Sequence, residues 1–234
     1  MKILGVTLAR GGSKGVVGKH TRLMCGKPLL AWTVEAALKS KYLTEYFVSS
    51  DDKDVLRPLY KTPVHTIDRP ARLAQDNTPT LPALQHAVEY AEFLLDEYFH
   101  YIIEIRATSP LKTTQDIDGC IERLIETGAD SVIGVTALED HRPARAKWLD
   151  ERGYIHDFIP ENRSGRRQDL TPKAYVRNGT VYALKRESVM GEHGKLFGHD
   201  FSVGYEMPND RSVNIDSELD WKLAELLMQE RGAQ

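Results

Sequence analysis

Short apolar runs alternate with longer stretches of helical period through the first 136 residues. This alternation narrows the folds open to the chain more than any other feature. The runs Ile3 to Leu8, Glu45 to Ser49, Pro63 to Ile67, Tyr101 to Ile105 and Ser131 to Thr136 have the length of buried strands. Pro28 to Ser40 carries apolar residues at 29, 30, 34, 37 and 38, a helical spacing, with Pro28 placed near the first turn. Asp51 stands where it would cap a helix near 52–60, and Pro82 to Glu97 and Thr114 to Thr127 read as two further helices. Strands separated by such helices predict βαβ units and a mainly parallel α/β sheet. Ligands of these sheets bind beyond the carboxyl ends of the strands. Four segments, 9–20, 51–52, 68–79 and 106–111, leave the strands at that end and are expected to converge on one crevice.

The first of these segments carries the strongest chemical signal. It reads Leu8-Ala9-Arg10-Gly11-Gly12-Ser13-Lys14-Gly15-Val16-Val17-Gly18-Lys19-His20. Glycine lets backbone N–H groups approach an anion closely. Arg10, Lys14 and Lys19 add fixed positive charge, which suits a triphosphate. The loop is neither of the common phosphate signatures. Counting back five from Gly18 gives Ser13, His20 stands where a P-loop has Ser or Thr, and no G-x-G-x-x-G can be placed.

Composition excludes several classes of partner. The formal net charge of -3 gives no general attraction to nucleic acid or to an anionic membrane. Basic residues gather instead at 10–22 and 163–177, as a small anionic ligand requires. No apolar run approaches the ~20 residues of a membrane span. Met1 leads directly into the first strand without a signal peptide, so a cytoplasmic protein is expected. Cys25 and Cys120 form no C-x-x-C arrangement and read as free thiols, and the histidines show no zinc spacing.

The pattern changes at about Leu138. Residues 138–177 are rich in charge and contain Pro143, Pro160 and Pro172. Ala146 to Leu149 and Tyr154 to Ile159 flank Glu151-Arg152-Gly153, a hairpin signal. Thr180 to Leu184 returns as a strand, Phe201 to Met207 and Ser212 to Ile215 follow as extended pieces, and Asp216 to Arg231 closes the chain as a helix. The expected organisation is one α/β domain from 1–137 and 178–234, interrupted by an inserted arm at 138–177.

The spacing Ala9-Arg10-Gly11-Gly12-Ser13-Lys14-Gly15, three residues, Lys19-His20 resembles the first motif of the acylneuraminate cytidylyltransferases, the CMP-sialic acid synthetase family. The resemblance continues in order through Gly26-Lys27-Pro28-Leu29, Arg69-Pro70, Thr108-Ser109-Pro110-Leu111, Arg167-Gln168-Asp169-Leu170, Asn178-Gly179 and Ile215-Asp216-Ser217-Glu218-Leu219-Asp220. It implies a Rossmann-like sheet of the nucleotide-diphospho-sugar transferase type, with a projecting arm that builds a homodimer. It implies transfer of CMP from CTP to the anomeric hydroxyl of an acidic 2-keto-3-deoxy sugar, with release of pyrophosphate. By the same resemblance Leu8, Ala9, Arg10, Gly11, Gly12, Ser13, Lys14, Lys19, His20, Arg69 and Asp76 contact the nucleotide. Arg10, Lys19 and Asp216 are the implied catalytic residues. Arg106, Thr108, Ser109, Arg166, Arg167 and Asn178 are implied at the sugar, and a basic residue of the arm reaches the neighbouring subunit's sugar. Arg166, Arg167, Lys173 and Arg177 lie on the arm.

Three departures qualify the match. His20 replaces the usual asparagine, and Arg106-Ala107 stands where Gln-Pro is usual. The family holds Mg²⁺ (with Mn²⁺ as substitute) on Asp-x-Asp, and here the pattern is Asn214-Ile215-Asp216. An amide is a poorer ligand for a hard cation than a carboxylate. Asp216 is either that metal ligand or the N-cap of the last helix. Arg106 either meets a ligand anion or pairs with Glu104 or Asp118. No side chain marks itself as a general base. Two other functions remain open: a sugar-1-phosphate nucleotidyltransferase using another nucleotide, and a nucleotide-binding module without chemistry.

Overall fold

The computed structural model describes residues 1–138, 143–160 and 172–232. The chain runs β1 (Ile3–Leu8), β2 (Leu23–Met24), β3 (Lys27–Pro28), α1 (Leu29–Leu38), β4 (Glu45–Ser50), α2 (Lys53–Leu56), β5 (His65–Asp68) and α3 (Thr80–Leu95). It continues through β6 (Tyr101–Ile105), α4 (Thr114–Thr127), β7 (Ser131–Ala137), β8 (Lys147–Leu149), β9 (Ile155–Asp157), β10 (Tyr175–Lys185), α5 (Arg186–Val189), β11 (Ser202–Glu206) and α6 (Glu218–Gly232).

Seven strands form one sheet in the order β11-β7-β10-β6-β1-β4-β5. β1 pairs in parallel with both β4 and β6, β4 with β5, and β7 with β11. Only β10 among the sheet's described strands runs antiparallel, wedged between β6 and β7. The sheet is therefore mainly parallel, as expected. The chain leaves β1 toward β4 on one side and later returns to β6 on the other. That reversal makes the carboxyl ends of β1 and β6 the topological switch point, where sheets of this kind bind ligands.

Period-two alternation along the strands sends side chains to opposite faces. Tyr46 and Val48 of β4 join Ile103 and Ile105 under α1, α2 and α4, whereas Phe47 joins Leu4, Val6 and Ile102 under α3. A third cluster packs α6, through Trp221 and Ala224, against Val16, Met24, Leu29, Leu111 and Ile215, and so closes the carboxyl end of the sheet. α4 begins with a capping box, Thr113 with Asp116, and ends on Gly128 in the left-handed conformation. No helix among the described residues is long and apolar enough to cross a membrane.

Three expectations are corrected. The cap of α2 is Asp52, which accepts from the Asp54 N–H. Asp51 instead accepts from the Gly11 N–H at 3.1 Å and so ties the glycine-rich loop to the end of β4. Ser212 to Ile215, expected as an extended piece, forms no strand. Finally, the strand expected over Thr180 to Leu184 begins at Tyr175, with Tyr175, Val176 and Arg177 paired to Ala137, Thr136 and Val135. Gly179 lies at φ +65°, a conformation glycine adopts without strain, and the register shifts between Arg177 and Tyr182. β8 and β9 form the predicted hairpin as a separate two-stranded sheet.

Candidate active site

A crevice of about 400 Å³ opens at the switch point. It is lined by the loop after β1, the stretch after β5, the turn after β6 and Asp216. Three of the four expected segments thus meet here. Residues 51–52 do not line it: Asp51 and Asp52 lie behind Gly11, where a Cβ would come within 2.7 Å of the Asp52 side chain.

The loop's cations differ in how they are held. Lys19 is buried; its Nζ donates to the Ile215 carbonyl at 2.6 Å and stands 3.6 Å from Asp216. Burial lowers its pKa, opposed by the attraction of Asp216. Arg10 lies 3.1 Å from Asp76 and donates to the Gln75 carbonyl, and Lys14 lies 2.5 Å from the other Asp76 oxygen. The hydrogen bond from Lys14 chiefly holds the Asp76 carboxyl below its ordinary range. Asp76 therefore sits between two cations that an incoming polyphosphate would also attract. Gly15 passes so close to the Asp216 backbone that an added Cβ would meet its carbonyl at 2.0 Å. Only glycine lets the basic loop close onto the 214–216 segment.

Behind these residues the charge is buried. His20 is pushed down to about 3 by burial and by Lys19, Arg69 and Arg10, so it lines the crevice as a neutral imidazole. Its Nδ1 has no hydrogen-bond partner among the described residues. Arg69 is buried and donates to the Ser49 carbonyl at 2.6 Å. Glu104 is fully enclosed, burial raises its pKa, and its Oε2 has no hydrogen-bond partner among the described residues. Its other oxygen lies 3.3 Å from Arg106 Nε, which settles the question of Arg106's protein partner in favour of Glu104 rather than Asp118. Five cationic side chains, Arg10, Lys14, Lys19, Arg69 and Arg106, face three carboxylates, Asp76, Glu104 and Asp216, around the crevice. The site is built for an anion.

The structure bears on the cap reading of Asp216: its side chain does not cap α6. α6 is capped by Ser217, whose N–H and hydroxyl donate to Asp220 while its own oxygen accepts from the Asp220 N–H. The Asp216 carboxylate is left largely exposed at the crevice, accepting from Asn214 Nδ2 at 2.5 Å. Asn214 Oδ1 is buried with no hydrogen-bond partner among the described residues. One carboxylate beside one orphaned carbonyl oxygen is a donor set that fits a hard cation, which commonly uses one or two carboxylates plus substrate phosphates. Among the described residues no group of three or more His, Cys, Asp or Glu forms a closed metal cage.

The remaining sequence-predicted residues fall into two groups. Leu8, Ser13 and Thr108 line the crevice, whereas Ala9, Gly11, Gly12, Ser109 and Asn178 do not. Ser109 is buried and donates to the Gly179 carbonyl. Asn178 donates to Ser212 and Met207 and accepts from the Thr180 N–H, so its amide is spent on the wall. Arg166 and Arg167 lie outside the described residues.

Sequence reasoning did not single out Lys112. It is buried, and its Nζ donates to Thr33 Oγ1 at 2.6 Å, Arg106 O at 2.7 Å and Ser109 O at 2.8 Å. Those three bonds clamp the turn after β6. The Thr108 carbonyl of that turn accepts from the Ile215 N–H at 2.8 Å, so the clamp also fixes the segment carrying Asp216. The available signal was a lysine beside the buried Leu111, and, for Glu104, one carboxylate in an otherwise apolar strand.

A basic, glycine-bearing loop at the switch point of a mainly parallel sheet, facing an exposed aspartate, defines a nucleotide-binding α/β transferase site. The cytidylyltransferase family profile matches residues 4–202, and the chain belongs to that family of nucleotidyltransferases. It is 28% identical over 238 residues to post-translational flagellin modification protein B of Campylobacter coli, covering 100% of this chain and 97% of the relative. It is 29% identical over 228 residues to pseudaminic acid cytidylyltransferase of Campylobacter jejuni, covering 97% and 96%. The match to N-acylneuraminate cytidylyltransferase A of Danio rerio is 29% over 229 residues, 95% of this chain but 50% of that protein, so the chain spans about half the length of this relative. CMP:2-keto-3-deoxy-manno-octonic acid synthetase, solved with CTP, shares the fold at a TM-score of 0.70 and 16% identity, over 99% of this chain and 100% of the other.

Proposed function

We propose that the protein transfers CMP from CTP to the anomeric hydroxyl of an acidic 2-keto-3-deoxy sugar of nonulosonic type, releasing pyrophosphate. The observation that carries this reading is the crevice: Arg10, Lys14 and Lys19 of one loop face Asp216 across the switch point. The triphosphate lies along the loop, where its charge is met by Arg10, Lys14 and Lys19. The sugar hydroxyl attacks the α-phosphorus in line, and pyrophosphate leaves. Phosphoryl-group transfer of this kind depends mainly on positioning and charge neutralisation. Lys19, already fixed on the Ile215 carbonyl, supplies a cation that needs no reorganisation. Asp216, with the Asn214 carbonyl oxygen beside it, is where Mg²⁺ would be held. Bound there, the ion would neutralise phosphate charge and lower the pKa of an attacking hydroxyl.

The reading extends to assembly. Trp148, Leu149, Tyr154, Ile155, Phe158 and Ile159 are all exposed on or next to the hairpin. A second copy of the chain covering this surface would make a homodimer, the commonest oligomer. The test of the activity is pyrophosphate release, with CTP, UTP, GTP and ATP each offered a panel of 2-keto-3-deoxy acids. CTP should exceed the others by roughly tenfold or more, a difference of ~1.4 kcal/mol. Comparable rates with GTP or ATP, or turnover with a sugar 1-phosphate instead of an acid, would defeat it.

A further inference from the structure

The backbone of Ile215 is held at both of its polar groups. Its carbonyl accepts from Lys19 Nζ at 2.6 Å, and its N–H donates to the Thr108 carbonyl at 2.8 Å. Its side chain is fully buried, in the cluster that also holds Leu111. The place of the Lys19 ammonium at the crevice is therefore set by Ile215, and Ile215 is docked on the turn after β6.

That turn does not hold its own shape. The bond that would close it, from the Ser109 N–H to the Arg106 carbonyl, is 3.5 Å long, beyond the usual range of a hydrogen bond. Lys112 Nζ closes it instead, at 2.7 Å from the Arg106 carbonyl and 2.8 Å from the Ser109 carbonyl. Its third N–H goes to Thr33 Oγ1 of α1 at 2.6 Å, which anchors the turn to a core helix. None of these three acceptors is a carboxylate. A buried ammonium costs stability unless it is bonded, and an apolar side chain at 112 would avoid that cost altogether. What the lysine adds is direction: three bonds from one atom that bracket Thr108. Arg106, Ala107 and Thr108 line the crevice and Lys112 does not, so it grips the turn from behind.

Taking the CMP transfer described above as its basis, we propose that Lys112 is a positioning residue for that reaction: through the 106–109 turn and the Ile215 backbone it holds Lys19 where the triphosphate's charge is neutralised. Lys112 itself meets no substrate. It fixes the Thr108 carbonyl, that carbonyl fixes the Ile215 N–H, and the Ile215 carbonyl fixes Lys19. Each link is a hydrogen bond of 2.6–2.8 Å. Slack anywhere along this path reaches the Lys19 ammonium. A misplacement of about 1 Å in a catalytic group can cost on the order of 100-fold in rate. The two buried lysines thus have separate duties: Lys19 meets the phosphates, and Lys112 sets where it meets them.

Two measurements test this. The first needs no turnover: competitive acetylation of the full chain, read lysine by lysine by mass spectrometry. Lys19, buried and hydrogen-bonded, should react slowly in the wild type and about fivefold faster in Lys112→Met, because its site opens more often. Lys14, with its side chain 79% exposed, is the internal reference and should react alike in both. The second is a cycle of kcat/KM for CTP over the wild type, Lys112→Met, Lys19→Ala and the double variant. Lys112→Met should cost roughly tenfold where Lys19 is present and less than about twofold where it is absent, since a residue that acts through Lys19 then has nothing left to position. A lysine with a merely structural role would give the same loss in both backgrounds. Thermal melting verifies that each variant is folded. Thr33→Val takes away one acceptor and keeps the Lys112 cation, so it carries both measurements if Lys112→Met does not fold; it should move each in the same direction by roughly threefold. Unchanged labelling of Lys19 in the folded variants, or an equal loss with and without Lys19, overturns the proposal and leaves the CMP transfer standing. A wild type that transfers CMP to no acid defeats the broader reading, and the positioning role of Lys112 in it, whatever the labelling shows.

Discussion

The crevice and the β8–β9 hairpin break the ordinary rules of protein surfaces in opposite directions. Around the crevice, charged groups are buried: Lys19, Arg69, Glu104 and Lys112 are each at most 8% exposed. On the hairpin, apolar groups face water: Leu149 is 66% exposed and Ile155 69%. Burying a charge is costly unless it is hydrogen-bonded or paired. Here each buried cation has acceptors fixed by the backbone, such as Ile215 O for Lys19, Ser49 O for Arg69 and Arg106 O for Lys112. The crevice is thus preorganised by one chain. Among the described residues nothing covers the apolar side chains of the hairpin, and a partner surface is what would cover them. Three experiments sharpen or break this contrast.

The largest effect belongs to Lys19→Ala. The variant removes a cation already fixed in place and leaves the Ile215 carbonyl without its donor. A charge-assisted bond contributes roughly 1.5–3 kcal/mol. Acting where charge is neutralised during transfer, its loss should lower kcat/KM for CTP by about 100-fold, a change of ~2.7 kcal/mol. Near-normal kinetics in a folded Lys19→Ala protein would detach the loop from the phosphates and leave Lys19 as a structural residue.

The two regions were also unequally legible in the sequence. β1, β6, α4 and the hairpin stand within a residue or two of where periodicity placed them, because local patterns determine them. The antiparallel insertion of β10 between β6 and β7 has no local signature; it follows from pairings that join residues far apart in the chain. The site was legible as a loop and a few motif residues. Its supporting bonds were not. That Lys112 clamps the 106–109 turn, or that Glu104 faces Tyr182, follows from strand register and the course of a turn. Asn214 and Asp216 do meet, but through a direct hydrogen bond in a segment outside any strand rather than through a strand's pleat. The helix cap was misplaced by one residue because Asp51 and Asp52 are adjacent and chemically equivalent until Gly11 selects one of them.

The next experiment breaks the comparison from the hairpin side. Leu149→Glu combined with Ile155→Glu places two charges at directly paired positions on β8 and β9. On a surface that stays in water, such changes are usually within about ±0.5 kcal/mol each. At a dimer interface they would bury like charges and force the copies apart. Light scattering should report a dimer for the wild type and a monomer for the double variant, with a lowered, concentration-dependent melting temperature for the wild type on dilution. A monomeric wild type, or an unchanged dimer in the variant, would remove the hairpin from assembly and leave it an exposed apolar surface without a partner copy.

The smallest of the three effects lies in His20, and it tests whether the crevice wall is as closed as its burial implies. His20 is held down to about 3, against 6.5 for an ordinary histidine, by burial first and then by Lys19, Arg69 and Arg10. Because the folded value is the lower one, the unfolded chain takes up the proton first as pH falls. This residue therefore costs nothing above about pH 6.5 and withdraws stability progressively as pH drops toward 3, at roughly 1.4 kcal/mol per unit within that window. His20→Asn removes the titrating group and keeps a polar side chain. Urea unfolding at pH 7.5 and pH 5.5 should show the wild type losing about 1 kcal/mol more than the variant between the two conditions. His86 is also shifted downward by burial, but it is present in both proteins and cancels in the comparison. Parallel losses in the two proteins would mean that water or an anion reaches the His20 ring, and that the neutral wall of the crevice opens in solution.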